Sequence, residues 1–200
     1  MDADRSERLG DIADDQLTDT QRTAIQRIVS GPRGGIAGPF VPLLRSPDLM
    51  NHLQAVGAFL RFQSSLPSQA IEVAVLAVAR HWDQQFEWGH HHPLAVESGV
   101  PLSVIDEIEQ RQRPTSGPEA LAVTWDCATM MLDTGELDDA TYDAGLAVLT
   151  EQGLVELIVT VGYYTTLAFV MNVAHTPAPP GPRLTIDRPS RARLCTNFGR

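Results

Sequence analysis

Leu66 to Trp82 reads LPSQAIEVAVLAVARHW. Ile71, Val75, Val78 and Trp82 recur at steps of four, three and four residues, the spacing of one face of an α-helix, and Pro67 with Ser68 supplies its opening. Glu72 interrupts a run that is otherwise apolar. A carboxylate there has to be paired or protonated, because burying it charged and alone costs several kcal/mol. On either side of this segment the same period continues. Leu49, Leu53, Val56 and Leu60 follow Ser46-Pro47, and a helix is expected from Gln85 to Ser98 with its stop at Gly99. Thr18 and Gln21 make a capping box ahead of Ala24, Ile25, Ile28 and Val29. Further helices are expected over 103–110, 119–132 and 138–152. The last runs from Leu154 to Val173, LVELIVTVGYYTTLAFVMNV, and is expected to be buried inside a domain or an oligomer rather than in a bilayer. No segment alternates with period two, so the class is all-α.

Composition narrows the chemistry. The chain has 200 residues, 43% hydrophobic and 20% charged, enough for one sizeable core. All fifteen basic residues are arginine, which excludes Schiff bases, pyridoxal-phosphate anchoring and a phosphate-gripping P-loop. Cys127 and Cys195 are far apart and in no CxxC pair, so neither a disulfide framework nor a cysteine metal site is expected, and a reducing cytoplasm fits. A net charge of −10 argues against nucleic-acid and anionic-membrane partners. The charge is uneven: Asp2, Asp4, Glu7, Asp11, Asp14 and Asp15 crowd the start, and Arg183, Arg188, Arg191, Arg193 and Arg200 the end. The start MDADRSERLGD holds no apolar signal segment. The expected organisation is an acidic arm and first helix over 1–35, a helical domain over 36–176, and a Pro/Arg-rich tail over 177–200 that is solvated or docks on a subunit.

Ionisable groups gather between Glu72 and His92. Glu87 lies three residues before His90 and four before His91, so either imidazole can sit beside its carboxylate on one helix face. That pairing fixes a tautomer, raises the imidazole pKa and suits proton transfer near neutral pH. Pro93 cannot bond the Gly89 carbonyl, and a kink is expected there. Arg80 lies near the Glu72 face and is read as a partner through an intermediary or as an anion receiver. His90, His91 and His92 point about 100° apart and do not converge on one metal, so no metal site is expected.

From Pro39 to Val100, the arginine–proline entry at Leu44 to Pro47, the LPSQAIEVAVLAVARHW helix and FEWGHHHPLAVESGV resemble the carboxymuconolactone decarboxylase family, within the alkylhydroperoxidase-D-like group. The late VELIVTVGYYTTLAFVMNV extends that resemblance to about two thirds of the chain. It implies a helical bundle of seven or eight helices, a trimer or hexamer, and no cofactor. The peroxidase branch has CxxC before its histidine, but Gln84 and Glu87 occupy those places here, so a thiol peroxidase cycle is untenable. The decarboxylase branch resembles this chain in carrying an acidic residue and Trp at Glu87 and Trp88. The implied enzyme is a carbon–carbon lyase of aromatic catabolism, acting on a small anionic carboxylated lactone through a dienolate. His91 is the expected proton donor, polarised by Glu87 and relayed to Glu72. Arg45 and Arg80 are candidate anion anchors, with Arg61 a third arginine whose placement discriminates between readings. Trp88 and Phe86 are expected to exclude water, with His90 beside them. Two alternatives stand: a recruited isomerase, dehydratase or cyclase using the same pocket, and a non-catalytic oligomeric ligand-binding protein.

Overall fold

The computed structural model describes residues 6–31 and 34–186. Among them the chain forms eight α-helices and no strand: α1 (Asp19–Val29), α2 (Phe40–Leu43), α3 (Pro47–Phe62), α4 (Ser68–His81), α5 (Gln85–Glu97), α6 (Leu102–Glu109), α7 (Glu119–Thr134) and α8 (Asp139–Ala174). Asp2 and Asp4 of the acidic arm, and Arg188, Arg191, Arg193, Cys195 and Arg200 of the basic end, lie outside the described residues.

Every residue of α4 from Ala70 to Ala79 is buried. Ile71, Ala74, Val75 and Val78 face a core shared with α1, α2, α3, α7 and α8. Val73, Leu76 and Ala79 face a second core with Trp88, Val104, Ile105, Ile108 and Leu121. A helix enclosed on all sides needs apolar residues all round, which is why IEVAVLAVA shows so little amphipathic contrast. The capping box expected at the start of α1 is present, with Gln21 N donating to Thr18 Oγ1 at 3.2 Å and Thr18 N to Gln21 Oε1 at 2.9 Å.

Two features depart from the sequence reading. The four-residue α2 is too short to show a period. The two helices expected over 138–152 and 154–173 are both present within α8, and the kink between them falls at Thr150 (φ 66°, ψ 169°) rather than at Gly153. Such a conformation strains a β-branched residue by about 1–3 kcal/mol. Thr150 Oγ1 accepts from Gly153 N at 3.3 Å, so the residue at the kink also caps the second helix.

The described part of the tail, residues 177–186, is extended, but it is not free. It folds back across α5 as a strap on its own domain. The Gln85 side chain donates to Leu184 O at 2.9 Å and accepts from Leu184 N at 3.1 Å, pairing with the strap as a strand edge would. Leu184 sinks into the second core, and Thr185 N donates to Glu109 Oε1 at 3.0 Å. Gly89 makes the crossing possible: a Cβ there would lie 3.2 Å from Pro179 Cγ and 3.3 Å from the Pro182 carbonyl. The helical hydrogen-bonded run of α5 continues through Pro93 to Glu97, so the expected kink does not interrupt it.

Helix α8 is long and apolar enough to cross a membrane by length and composition, and 56% of its most apolar stretch is buried within the fold. Leu157, Val161, Tyr164, Leu167 and Met171 enter the first core. Val155, Ile158, Val159, Phe169 and Val173 stay open on the opposite face; Val155 and Val159 line a shallow trough with Val56 and Phe59 of α3, while Phe169 and Val173 line another with Pro42 and Leu43 of α2.

Candidate active site

Helices α4 and α5 are antiparallel neighbours joined by a tight turn, and the turn is pinned to α8. Gln84 caps α5 by accepting from Phe86 N and Glu87 N, while its amide donates to Asn172 Oδ1 at 3.1 Å. Asn172 Nδ2 in turn donates to the Trp82 carbonyl at 3.1 Å. This holds the Glu87/His91 face of α5 against Glu72 of α4. His91 Nδ1 lies 2.7 Å from Glu72 Oε2, and His91 Nε2 lies 3.3 Å from Glu87 Oε2. The side chains are 3%, 11% and 4% exposed for His91, Glu72 and Glu87, so Glu72 is the end nearest water.

Of the two imidazoles that helix spacing offered to Glu87, packing selects His91. Both its ring nitrogens face carboxyl oxygens, and a carboxylate cannot donate. The chain therefore carries two protons across two hydrogen bonds, either as imidazolium between two carboxylates or as imidazole between a carboxylate and a carboxylic acid. Its net charge is −1 in both forms. Burial alone would lower the His91 pKa, but the hydrogen bonds and charges of Glu72 and Glu87 outweigh it and raise it to about 9. With both nitrogens engaged, His91 has none left for a substrate. Direct contact falls to a carboxyl oxygen.

Aromatic rings close over this chain. Tyr164 of α8 stands edge-on to His91 at 5.2 Å, and Tyr163 edge-on to Tyr164 at 5.3 Å. Burial, with Glu87 adding, pushes the Tyr164 phenol well above its ordinary pKa, so it remains an uncharged hydroxyl. Neither Tyr164 nor the Gln84–Asn172 brace was singled out from the sequence. The GYY at 162–164 was the available signal, but an aromatic pair inside an apolar helix looks like core. His90 lies 5.0 Å from His91 and stacks on Phe86 at 6.1 Å. The desolvating walls around His90, with His91 and Arg61 adding, hold its pKa below the ordinary value, although its outer edge is exposed. Gly38, at φ 59°, closes over Phe86 so tightly that a Cβ would fall 2.4 Å from the ring.

Three expected site residues go elsewhere. Arg45 donates to the carbonyls of Leu9 (3.0 Å), Gly10 (2.6 Å) and Val41 (3.0 Å), tying the N-terminal arm to α2. Arg80 pairs with Asp83 and donates to the Glu109 carbonyl at 2.5 Å, and Glu72 finds His91 instead. Trp88 is one residue from Glu87, about 100° round the helix, so it points into the second core beside His92 rather than into the site. Cys127 is buried, and burial with the Asp126 charge pushes its thiol up to about 11, away from nucleophilic use. Among the described residues no group of three or more His, Cys, Asp or Glu is placed to hold a metal ion.

No protein-family model matches this chain, and no curated protein matches it.

Proposed function

We propose that the chain is a cofactor-independent acid–base enzyme of the carboxymuconolactone decarboxylase type, a carbon–carbon lyase acting on a small carboxylated lactone. The observation that carries the reading is the His91 imidazole held between Glu72 and Glu87, almost out of water. Loss of carbon dioxide breaks the carbon–carboxylate bond and sends its electron pair into the conjugated carbonyl as a dienolate. Glu72, the more open end, relays the Nδ1 proton of the His91 imidazolium to the dienolate carbon, leaving a neutral imidazole whose remaining Nε2 proton faces the Glu87 carboxylate. Solvent then restores the proton through Glu72. Excluding water around the chain strengthens each of these electrostatic terms.

The same two-ended chain can take a proton from one carbon and return it to another, which supports isomerisation, dehydration or cyclisation as the second reading. Incubation with a carboxymuconolactone separates them. Release of carbon dioxide, reduced about 10²–10⁴-fold in Glu72→Gln with its helical spectrum intact, supports the lyase. Consumption without carbon dioxide supports the second reading. No consumption overturns both and leaves a non-catalytic oligomeric binder.

We also propose that another copy of the chain covers the open apolar face of α8 and α3, consistent with the trimer or hexamer that the resemblance implies. From Leu157 to Ala174 helix α8 carries no charged side chain. Val155, Ile158, Val159, Phe169 and Val173 of α8, with Val56 and Phe59 of α3, are all at least two-fifths exposed. Ile158→Glu is expected to turn the oligomer into a monomer in light scattering; a wild-type monomer would refute the contact.

A further inference from the structure

Two groups compete for the carboxylate of Glu87. Gln84 is the N-cap of α5 and Glu87 its third residue, the place from which a glutamate reaches back to the N-cap backbone N–H in a capping box. Helix α1 uses that arrangement, with Gln21 Oε1 accepting from Thr18 N at 2.9 Å. In α5 the box is not formed. Gln84 N donates to the Ala79 carbonyl at 2.7 Å, so the donor that Glu87 would have met is taken. Phe86 N and Glu87 N donate to Gln84 Oε1 at 2.5 and 3.3 Å, so the helix start is satisfied without a carboxylate. Glu87 turns inward instead, to His91 Nε2 at 3.3 Å.

The amide of Gln84 serves in this way only in one of its two orientations, and groups of fixed polarity select it. The Trp82 carbonyl can only accept, so it draws Asn172 Nδ2 to 3.1 Å and turns Asn172 Oδ1 away from itself. Asn172 Oδ1 then accepts from Gln84 Nε2 at 3.1 Å, which leaves Gln84 Oε1 facing the N–H groups of α5. Donor meets acceptor at every step. Gln84 is 3% exposed, so water competes little with these bonds.

We infer that Gln84, oriented by Asn172 of α8, is a positioning residue of the acid–base chain: it caps α5 in place of Glu87 and so keeps the Glu87 carboxylate for His91. Both residues act through Glu87. The role rests on the acid–base reading, but it is measured first without turnover.

Gln84→Ser supplies an ordinary N-cap that is too short to reach Asn172. The serine hydroxyl is also a donor within reach of Glu87, as Thr18 Oγ1 donates to Gln21 Oε1 at 3.2 Å in α1. The variant is expected to keep its helical spectrum while drawing Glu87 toward the helix start, so that the His91 titration, followed by NMR of the ring nitrogens, moves down from about 9 by about one pH unit. Asn172→Ala is expected to move it the same way. Made in a Glu87→Gln background, Gln84→Ser is expected to move it no further than Glu87→Gln alone. Thr18→Ala removes the box of α1 and is expected to leave the titration in place. An unmoved titration in a folded Gln84→Ser or Asn172→Ala protein, a further shift in the Glu87→Gln background, or an equal shift in Thr18→Ala would each overturn the inference. A shifted titration in a protein that releases no carbon dioxide from a carboxymuconolactone would sink the proposed reaction and leave the positioning role standing. Carbon dioxide release at the wild-type kcat, with the titration unmoved in Gln84→Ser, would do the reverse.

Discussion

Replacing His91 with alanine is expected to destabilise the fold by about 3–5 kcal/mol near pH 6, because it leaves Glu72 and Glu87 buried with no cation between them. The loss has a pH signature. The folded pKa of His91 is raised to about 9 from an ordinary 6.5, so the folded state holds this proton more tightly than the unfolded chain. Its contribution is complete below pH 6.5, declines by up to about 1.4 kcal/mol per pH unit above that, and is lost as the pH rises through 9. Urea denaturation of wild type and His91→Ala at pH 6, 7.5 and 9 reads the difference. It should narrow steadily with pH. A gap below about 1 kcal/mol, or one flat in pH, would contradict a charge-bridged imidazole.

Trp88→Ala is expected to cost a similar amount, about 3–5 kcal/mol, for a different reason. Trp88 is among the largest fully buried side chains, and it packs in the core that also receives Leu184. Its removal opens a cavity under the strap as well as between α4, α5 and α6. The melting temperature should fall, and limited proteolysis should cut the 177–186 segment faster than in the wild-type protein. Gln85→Ala is the control. It removes both side-chain bonds to Leu184 while leaving the core filled, so it should speed cleavage of the strap with much less loss of global stability. A Trp88→Ala protein whose strap stays protected would show that the two are not coupled.

The all-α class was legible because the apolar spacing is local. Ile71, Val75 and Val78 face one core for the same reason that their intervals of four and three suggest a helix face. The candidate site was partly legible on the same ground: Glu87 and His91 are one helical turn apart, and Glu72 was marked by being the carboxylate in an apolar run. The arginines were not legible. An arginine near an acidic residue in sequence looks like a possible anion anchor, yet Arg80 and Arg45 are decided by which carbonyls and carboxylates the packed helices bring within reach.

By itself the sequence determined the helices, the absence of lysine and paired-cysteine chemistry, and the one short region where carboxylates and imidazoles gather. Spacing along a helix left His90 and His91 equally able to meet Glu87, and it said nothing of the partner of Glu72. Tertiary structure decided both. Packing α5 against α4 puts His91, 19 residues from Glu72, between the two carboxylates and leaves His90 at the rim. It also turned residues 177–186 of the proline-rich tail into a strap, because Gly89 has no side chain to obstruct it and Leu184 has a core to enter. The physical reason is common to both. Helical periodicity depends on neighbours three and four residues away, whereas desolvation and charge pairing depend on what is brought alongside from distant parts of the chain.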